Sequence, residues 1–293
     1  GAEWRLCFQN RDSLMYLGFE VEQYQPVSYF LDFYAHLYLR DAEKRIDDLA
    51  GFIVGTYNRS SILDAEALAS TIFPEAHYDV FLSHSHADQR NAVDLALALE
   101  KHGLKVFVDS TVWGFYGQLV RKIISQTRPL DEETTEEHVS RVHADVHMML
   151  AGALHRTIAQ AEMFVFVRSE KSVPLSFGDK ARTLSPWLFS ELQFSFQVQH
   201  ATPKRIRDRL QGATLDNVKG FNNMSLESMQ HLMAFRAFNE HLPPVAGDRL
   251  HGWITSLPTK VQGEAALDLL YSQFNLASEY RRRRESLGIF ASS

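Results

Sequence analysis

The chain has 293 residues, of which 45% are hydrophobic, and a formal net charge of −6. This length and composition allow one large domain or two modest ones with a substantial core. The acidic balance argues against a surface built for nucleic acid, because phosphate binding normally shows as a basic excess. A single cysteine, Cys7, excludes an intrachain disulfide framework and a cysteine-rich zinc site.

Neither a membrane span nor a signal peptide is predicted from the hydropathy of the sequence. No apolar run approaches the roughly 18 residues that a membrane-spanning helix requires. The N-terminus lacks the basic and then apolar order of a signal peptide. Together with the low cysteine content, these features lead us to expect a cytoplasmic protein.

Residues 1–76 are predicted to form a helical region that packs against the rest of the chain. Apolar side chains from Tyr29 to Tyr38 recur at steps of three and four, which is typical of a buried helical stripe. A second helical pattern runs from Ile46 to Ile53, and a third short helix has Asp64 near its start. The region is interpreted either as a stabilising layer or as a module that docks a partner.

From Tyr78 the pattern changes to short apolar strands that are separated by helices. The predicted strands are Asp79–Leu82, Leu104–Asp109 and Met163–Val167. This alternation indicates an α/β fold with a parallel sheet and right-handed crossovers. The α/β core is assigned to residues 77–200, with a helical insertion at about 125–160. Residues 201–293 are predicted to be helical, without a further strand.

Open parallel sheets bind ligands outside the carboxyl ends of their strands, so we expect a site in the loops that follow the three strands. These loops are Ser83–Asp88, Asp109–Gly117 and Arg168–Ser185. The third loop leads into a helix, with Ser185 as its N-cap and Pro186 at its first position. Glu191 lies about one turn beyond Trp187 on the same face of this helix. The carboxylate beside the indole is the predicted centre of the site.

Four runs that contain these strands and this helix start occur in a recognisable order. They are Y-D-V-F-L-S-H-S at 78–85, L-K-V-F-V-D-S at 104–110, A-E-M-F-V-F-V-R-S at 161–169 and S-P-W-L-F-S-E-L at 185–192. Over roughly residues 78–200 this combination resembles the Toll/interleukin-1 receptor (TIR) domain, in a divergent bacterial-type form. The resemblance implies a flavodoxin-like parallel sheet and a BB loop at Thr111 to Gly117. The family pattern continues with two strands after the glutamate helix, and neither is evident in this sequence.

The resemblance also implies an activity, because the W-x-x-x-E element, here Trp187 to Glu191, carries the catalytic glutamate in family members that cleave NAD. Nicotinamide leaves NAD⁺ as a neutral molecule, so cleavage of its bond to ribose needs no general acid. One carboxylate can then hold the ribose hydroxyls and stabilise the developing positive charge. Hydrolysis, cyclisation and base exchange all stay open as outcomes. Bacterial members of the family often serve in defence against phage.

Other polar residues at the strand ends are candidates to bind the substrate. Ser83 and Ser85 are suited to donate to a diphosphate or a ribose, His84 to contact the nucleotide, and Asp109 to hold a loop. Ordinary turn capping explains the two serines and Asp109 equally well. Trp187 either lines the pocket or belongs to the core.

The loop Thr111 to Gly117 holds two glycines and three aromatic side chains, namely Trp113, Phe115 and Tyr116. Exposed aromatics on a mobile loop suit stacking on a flat ring or burial in a neighbouring copy of the chain. We therefore expect self-association through this loop, and a contribution of Trp113 to substrate binding. The terminal helical regions are further candidates to dock a protein partner.

No cofactor or metal is predicted, because NAD⁺ is consumed as the substrate. His143 and His147 lie four residues apart on a predicted helix, but no third metal ligand is evident in the sequence. Two alternative functions remain open at this stage. One is a non-catalytic TIR scaffold or a module that binds a nucleotide signal. The other is an enzyme like the nucleoside deoxyribosyltransferases, although the aromatic-rich loop favours the TIR interpretation.

Overall fold

The computed structural model describes residues 15–25, 49–57, 60–73, 77–178, 180–198, 200–207 and 233–288. The strands in these ranges are β1 (Leu17–Glu22), β2 (Ile53–Tyr57), β3 (Ser60–Leu63), β4 (Val80–His84), β5 (Val106–Val108), β6 (Met163–Arg168), β7 (Leu175–Phe177), β8 (Lys180–Thr183), β9 (Phe235–Arg236) and β10 (Pro244–Ala246). The α-helices are α1 (Ala65–Ile72), α2 (Gln89–Glu100), α3 (Ser110–Gln126), α4 (Thr135–Gln160), α5 (Pro186–Gln197), α6 (Lys204–Arg207), α7 (Gly247–Ser256), α8 (Glu264–Gln273) and α9 (Leu276–Ser286).

The central sheet has five parallel strands in the order β10-β1-β6-β4-β5. The predicted α/β fold with a parallel sheet is therefore confirmed. Phe81, Val106 and Val165 are buried on the adjacent strands β4, β5 and β6, because helices cover both faces of the sheet. Among the three predicted strands, the first lies between the second and the third, as it does in flavodoxin-like sheets.

The other two positions of the sheet are filled from the two ends of the chain, which corrects the prediction for both terminal regions. β1 comes from the region predicted to be helical, and it pairs with β6 over its full length. β10 comes from the region in which no strand was predicted, and it pairs with β1 at the edge of the sheet. The sheet thus extends beyond residues 77–200.

The sequence conceals β10 because the strand begins with Pro244, which follows another proline, and such a pair is typical of a turn. Proline is tolerated at the first position of an edge strand. Gly247 follows this strand directly, and a Cβ at that position would lie 2.5 Å from the Cα of Tyr24. Only glycine permits this close approach between the end of β10 and the end of β1.

The remaining predicted helices have mixed outcomes. The helix predicted from Tyr29 to Tyr38 lies outside the described residues. Of the second predicted helix, Ile46 to Ile53, the described part forms a 3₁₀ turn at Leu49–Phe52. Ile53 begins β2, which pairs with β3 as a hairpin. The third is confirmed as α1, where the Asp64 carboxylate accepts hydrogen bonds from the first-turn amides.

The C-terminal region is less helical than predicted, because Phe235–Arg236 forms β9 and pairs with β8. The sequence from Ala265 to Arg284 predicts one long helix, and the chain forms α8 and α9 instead. Asn275 separates the two helices with a positive φ of 51°, a conformation that asparagine tolerates better than most residues. No helix in the described ranges is long and apolar enough to cross a membrane.

Most of the segment predicted as a helical insertion, about 125–160, forms the 26-residue helix α4. It begins with a capping box, in which Thr134 and Glu137 each satisfy a backbone amide of the other. Its buried positions include Val142, Val146 and Leu150 at steps of four, and it packs against α3 and α5. The insertion therefore supports the helix that carries Glu191.

Two histidines beneath α9, His241 fully buried and His200 partly buried, predict that the fold is sensitive to acid. The Nε2 atom of His200 lies 3.2 Å from the Tyr280 hydroxyl, and His241 is fully buried beside Ser195. Burial, reinforced by the charge of Arg284, lowers the pKa of His200 to about 3 and that of His241 well below its usual value. Both rings are therefore neutral in the folded state.

Because the folded-state pKa is lowered, the stabilising contribution is present above an unfolded pKa of 6.5 and is lost as the pH falls below it. We expect the free energy of unfolding in urea to fall between pH 6.5 and 5 by about 1.4 kcal/mol per pH unit for each histidine. Glutamine cannot ionise, so His200→Gln should reduce the dependence of the unfolding free energy on pH by about 1.4 kcal/mol per pH unit. The same slope in the variant and the parent would contradict the assignment.

Candidate active site

The centre of the site is Glu191, and α5 positions it as predicted. Ser185 Oγ accepts a hydrogen bond from the Leu188 amide, and Pro186 occupies the first helical position. This start places the Glu191 carboxyl group in the second turn, where its side chain is fully buried. Ser83 on β4 donates its hydroxyl hydrogen to Glu191 Oε2 over 2.5 Å. The structure thus joins the catalytic candidate to a predicted substrate-binding serine.

Two further predicted residues, His84 and Asp109, form a buried ion pair. The Nε2 atom of His84 lies 2.9 Å from Oδ1 of Asp109, and its Nδ1 atom donates to the Ser85 carbonyl over 2.7 Å. The first contact lacks the alignment of a hydrogen bond, so the attraction is that of opposite charges. Burial lowers the pKa of His84, but the negative charge of Asp109 and the hydrogen bond to the Ser85 carbonyl outweigh burial and raise it above its usual value. Asp109 therefore favours the protonated form of His84.

The loops after β4 and β6 are tied together by a carboxylate that was not predicted as a site residue. Asp88 accepts hydrogen bonds on Oδ2 from the hydroxyls of Ser85 and Ser169, the latter over 2.6 Å. Asp88 is almost fully buried. These loops flank the crevice between β4 and β6, where the strand order reverses and where such sheets bind ligands. Asp88 and Ser169 lie in two of the predicted candidate loops, but the sequence gave no signal that their side chains are in contact.

Trp187 belongs to an aromatic cluster between α3, α4 and α5. Its ring stacks on His147 at a centroid distance of 4.1 Å and meets Tyr116 edge-on at 5.8 Å. The Tyr116 hydroxyl lies 2.8 Å from Nδ1 of His143. The packing role of Trp187 is therefore observed, and the two histidines have aromatic and hydrogen-bond partners. Within the described part of the chain, no group of three or more potential metal ligands occurs.

The predicted loop Thr111 to Gly117 is helical, which corrects the sequence prediction. Helix α3 begins at Ser110, directly after Asp109. Leu119, Val120 and Ile123 are buried at helical spacing later in α3, and two glycines add only about 1 kcal/mol each against helix formation. The side chain of Trp113 lies outside the described part of the molecule. Self-association through this segment stays a prediction. It was expected from a mobile loop, and the segment is instead part of a helix.

A second buried carboxylate, Glu20 on β1, was missed. Arg168 donates to its Oε1 over 3.0 Å, and Asn239 donates to its Oε2 over 2.7 Å. Burial raises the pKa of Glu20, and the two donors only partly offset this effect. Its burial in the sheet could not be inferred from sequence, because β1 was assigned to a helical region.

Comparisons of the chain with protein-family models, with curated proteins and with solved structures each found no match. The TIR resemblance is therefore carried by the four sequence runs alone. The strand order β5-β4-β6 is consistent with a flavodoxin-like α/β fold.

The contact between Ser83 and Glu191 makes a prediction about stability. Removing the Ser83 hydroxyl takes a donor from a fully buried carboxylate, so Ser83→Ala should lower the free energy of unfolding by about 1–3 kcal/mol. In a Glu191→Leu background the serine change should cost much less, because no carboxylate remains to accept. Urea unfolding of both single variants and the double variant measures this coupling. Equal costs in both backgrounds would show that the hydrogen bond contributes nothing.

Proposed function

We propose that this chain is a TIR-type NAD⁺ glycohydrolase or cyclase that cleaves the nicotinamide–ribose bond, with Glu191 as the catalytic carboxylate. The observation that carries the proposal is the position of Glu191. It lies against Ser83 at the carboxyl end of β4, the edge at which open parallel sheets bind their ligands. The proposed setting, by resemblance, is nucleotide signalling in the cytoplasm of a bacterium during defence against phage.

The proposed chemistry requires negative charge near the anomeric carbon C1′. As the C1′–N bond breaks, its electron pair moves to the ring nitrogen of nicotinamide, and positive charge develops on the ribose. A carboxylate that is already in place stabilises this charge without reorganisation, and its effect is larger where water is excluded. Glu191 meets both conditions, because it is fully buried and is oriented by the Ser83 hydroxyl.

NAD⁺ can reach Glu191 only after the segments that cover it move. The hairpin of β7 and β8 precedes α5, and β8 packs beside that helix. Strand β7 is exposed along its length, including Phe177 at 60% relative exposure. We infer that this weakly buried hairpin is the segment that opens, because regions with few buried contacts move at the lowest cost.

The complete burial of Glu191 favours a second candidate, a non-catalytic TIR-like scaffold or nucleotide-binding module. In that case the Ser83–Glu191 contact is a structural pair between β4 and α5. Buried polar groups in proteins are usually hydrogen-bonded for structural reasons alone, so this alternative has a physical basis.

The test is an assay of nicotinamide release by the purified chain at high protein concentration, with NAD⁺ as the substrate and a crowding agent present. Release of nicotinamide supports the proposed enzyme. Binding of NAD⁺ by calorimetry, without release under any assembly condition, supports the binding module. Cleavage of a 2′-deoxynucleoside in place of NAD⁺ supports the deoxyribosyltransferase alternative.

A further inference from the structure

Glu20 is an unusual residue for its position, because it is a buried carboxylate between apolar residues of an interior strand. Its neighbours Leu17, Phe19 and Val21 are at most 1% exposed, and Glu20 itself is 4% exposed. An apolar side chain at this point would pack without the desolvation penalty of a carboxylate. A buried charge that stability does not require is a candidate for function.

The carboxyl group of Glu20 is held in one orientation by two donors from different parts of the chain. Arg168 at the end of β6 donates Nη1–H to Oε1, and Asn239 before β10 donates its amide to Oε2. The same Arg168 nitrogen also donates to Glu22 over 2.9 Å. Each Glu20 oxygen retains a second lone pair, so the group can still accept a proton.

The strand register places Glu20 on the same face of the sheet as the candidate active site. Glu20 pairs with Phe166, and Phe166 pairs with Ser83, so the three residues form one row across β1, β6 and β4. Residues in register in a parallel sheet point to the same face, and Ser83 contacts Glu191 on that face.

Two strand spacings separate Glu20 from Ser83, or about 9–10 Å between their backbones. The carboxyl groups of glycosidases that place a water between base and sugar are about 6.5–9.5 Å apart. The row thus places Glu20 and Glu191 on one face of the sheet, on the two sides of the buried Phe166, so that Phe166 must shift for a ribose and a water to bind between them.

Given the proposed cleavage of NAD⁺, on which this inference rests, we propose that Glu20 is the second carboxyl group of the site and the general base for hydrolysis. The oxygen of a water bonds to C1′ while the C1′–N bond breaks and its electron pair goes to nicotinamide. The Glu20 carboxylate takes a proton from this water and later releases it to solvent. NAD⁺ and water thereby yield ADP-ribose, neutral nicotinamide and one proton.

The electrostatic surroundings of Glu20 suit this role. Burial raises its pKa, Arg168 acts in the opposite direction, and the charge of Glu22 adds to the increase. A base whose pKa lies closer to the working pH is more effective in proton transfer than an ordinary solvated glutamate.

The test compares two reactions that share bond cleavage and differ in the nucleophile. Water must lose a proton, whereas a pyridine base such as 3-acetylpyridine has no proton to lose when it replaces nicotinamide. Glu20→Gln should therefore lower hydrolysis by about 10²–10⁴-fold and retain most of the base exchange. Glu191→Gln should lower both reactions, because both form the same cationic centre.

Glu170→Gln is the control, because Glu170 is an exposed carboxylate in the loop after β6, at the same edge of the sheet. It should keep both rates close to those of the parent. Equal losses of hydrolysis and exchange in Glu20→Gln would overturn the base assignment and leave the proposed NAD⁺ cleavage intact. A parent chain that releases no nicotinamide would overturn both.

Asn239→Ala provides a second test if Glu20→Gln does not fold. Loss of the amide that lowers the pKa of Glu20 should move the acidic limb of the hydrolysis rate to higher pH. Base exchange should show no such movement. An unchanged limb would contradict the role of Glu20 as the base.

Discussion

Replacing Glu191 with glutamine is expected to lower nicotinamide release by about 10²–10³-fold, with little change in fold or in NAD⁺ affinity. The amide keeps the size of the side chain and can still accept a hydrogen bond from Ser83. It lacks the negative charge, which matters more as positive charge develops on the ribose than it does in the bound substrate. The loss should therefore appear in kcat, and KM should change much less.

The experiment measures initial rates over a range of NAD⁺ concentrations, at matched protein concentration and assembly state. Glu170→Gln is the control, because Glu170 is an exposed carboxylate in the loop after β6, at the same edge of the sheet. It should behave as the parent does. If Glu191→Gln kept more than about a tenth of the parent rate, the carboxylate would lower the activation free energy by less than about 1.4 kcal/mol. That result would exclude Glu191 as the catalytic group.

Truncation of Phe19 to alanine should destabilise the protein by about 3–5 kcal/mol. Phe19 is 1% exposed on β1, in register with Val165 of β6. Its truncation opens a cavity in the central sheet, and the cost is large because the surrounding strands cannot collapse to fill it. This prediction tests the assignment of the N-terminal strand to the core.

Urea unfolding of Phe19→Ala and of Phe177→Ala provides a matched comparison of two phenylalanine truncations. Phe177 is 60% exposed on β7, so its change should stay within about 0.5 kcal/mol of the parent. Similar small values for both variants would mean that β1 does not form part of the sheet.

The sequence predicted the elements whose signals are local. β4 and β6 are short apolar runs followed by polar loops, and the serine and proline at the start of α5 determine where that helix begins. Because these elements end at the same edge of the sheet, the candidate residues Ser83, His84 and Asp109 were identified before their contacts were known. Their partners followed only from the structure.

The parts that the sequence did not predict depend on pairing between distant segments. β1 is a six-residue strand beside a region with helical periodicity, and its partners β6 and β10 lie far along the chain. The role proposed for Glu20 depends on that register and on donors from two other segments. The aromatic segment of α3 was misassigned because its two glycines outweighed the helical spacing that follows them.

The most direct test of the central claim is a structure of the protein with a non-cleavable NAD⁺ analogue in which carbon replaces the ribose ring oxygen. The expected result is a ligand at the carboxyl end of β4, with the Glu191 carboxylate about 3–3.5 Å from the ribose next to nicotinamide. The hairpin of β7 and β8 should have moved to admit it. An analogue bound elsewhere, with Glu191 still buried against Ser83, would contradict NAD⁺ cleavage at this site.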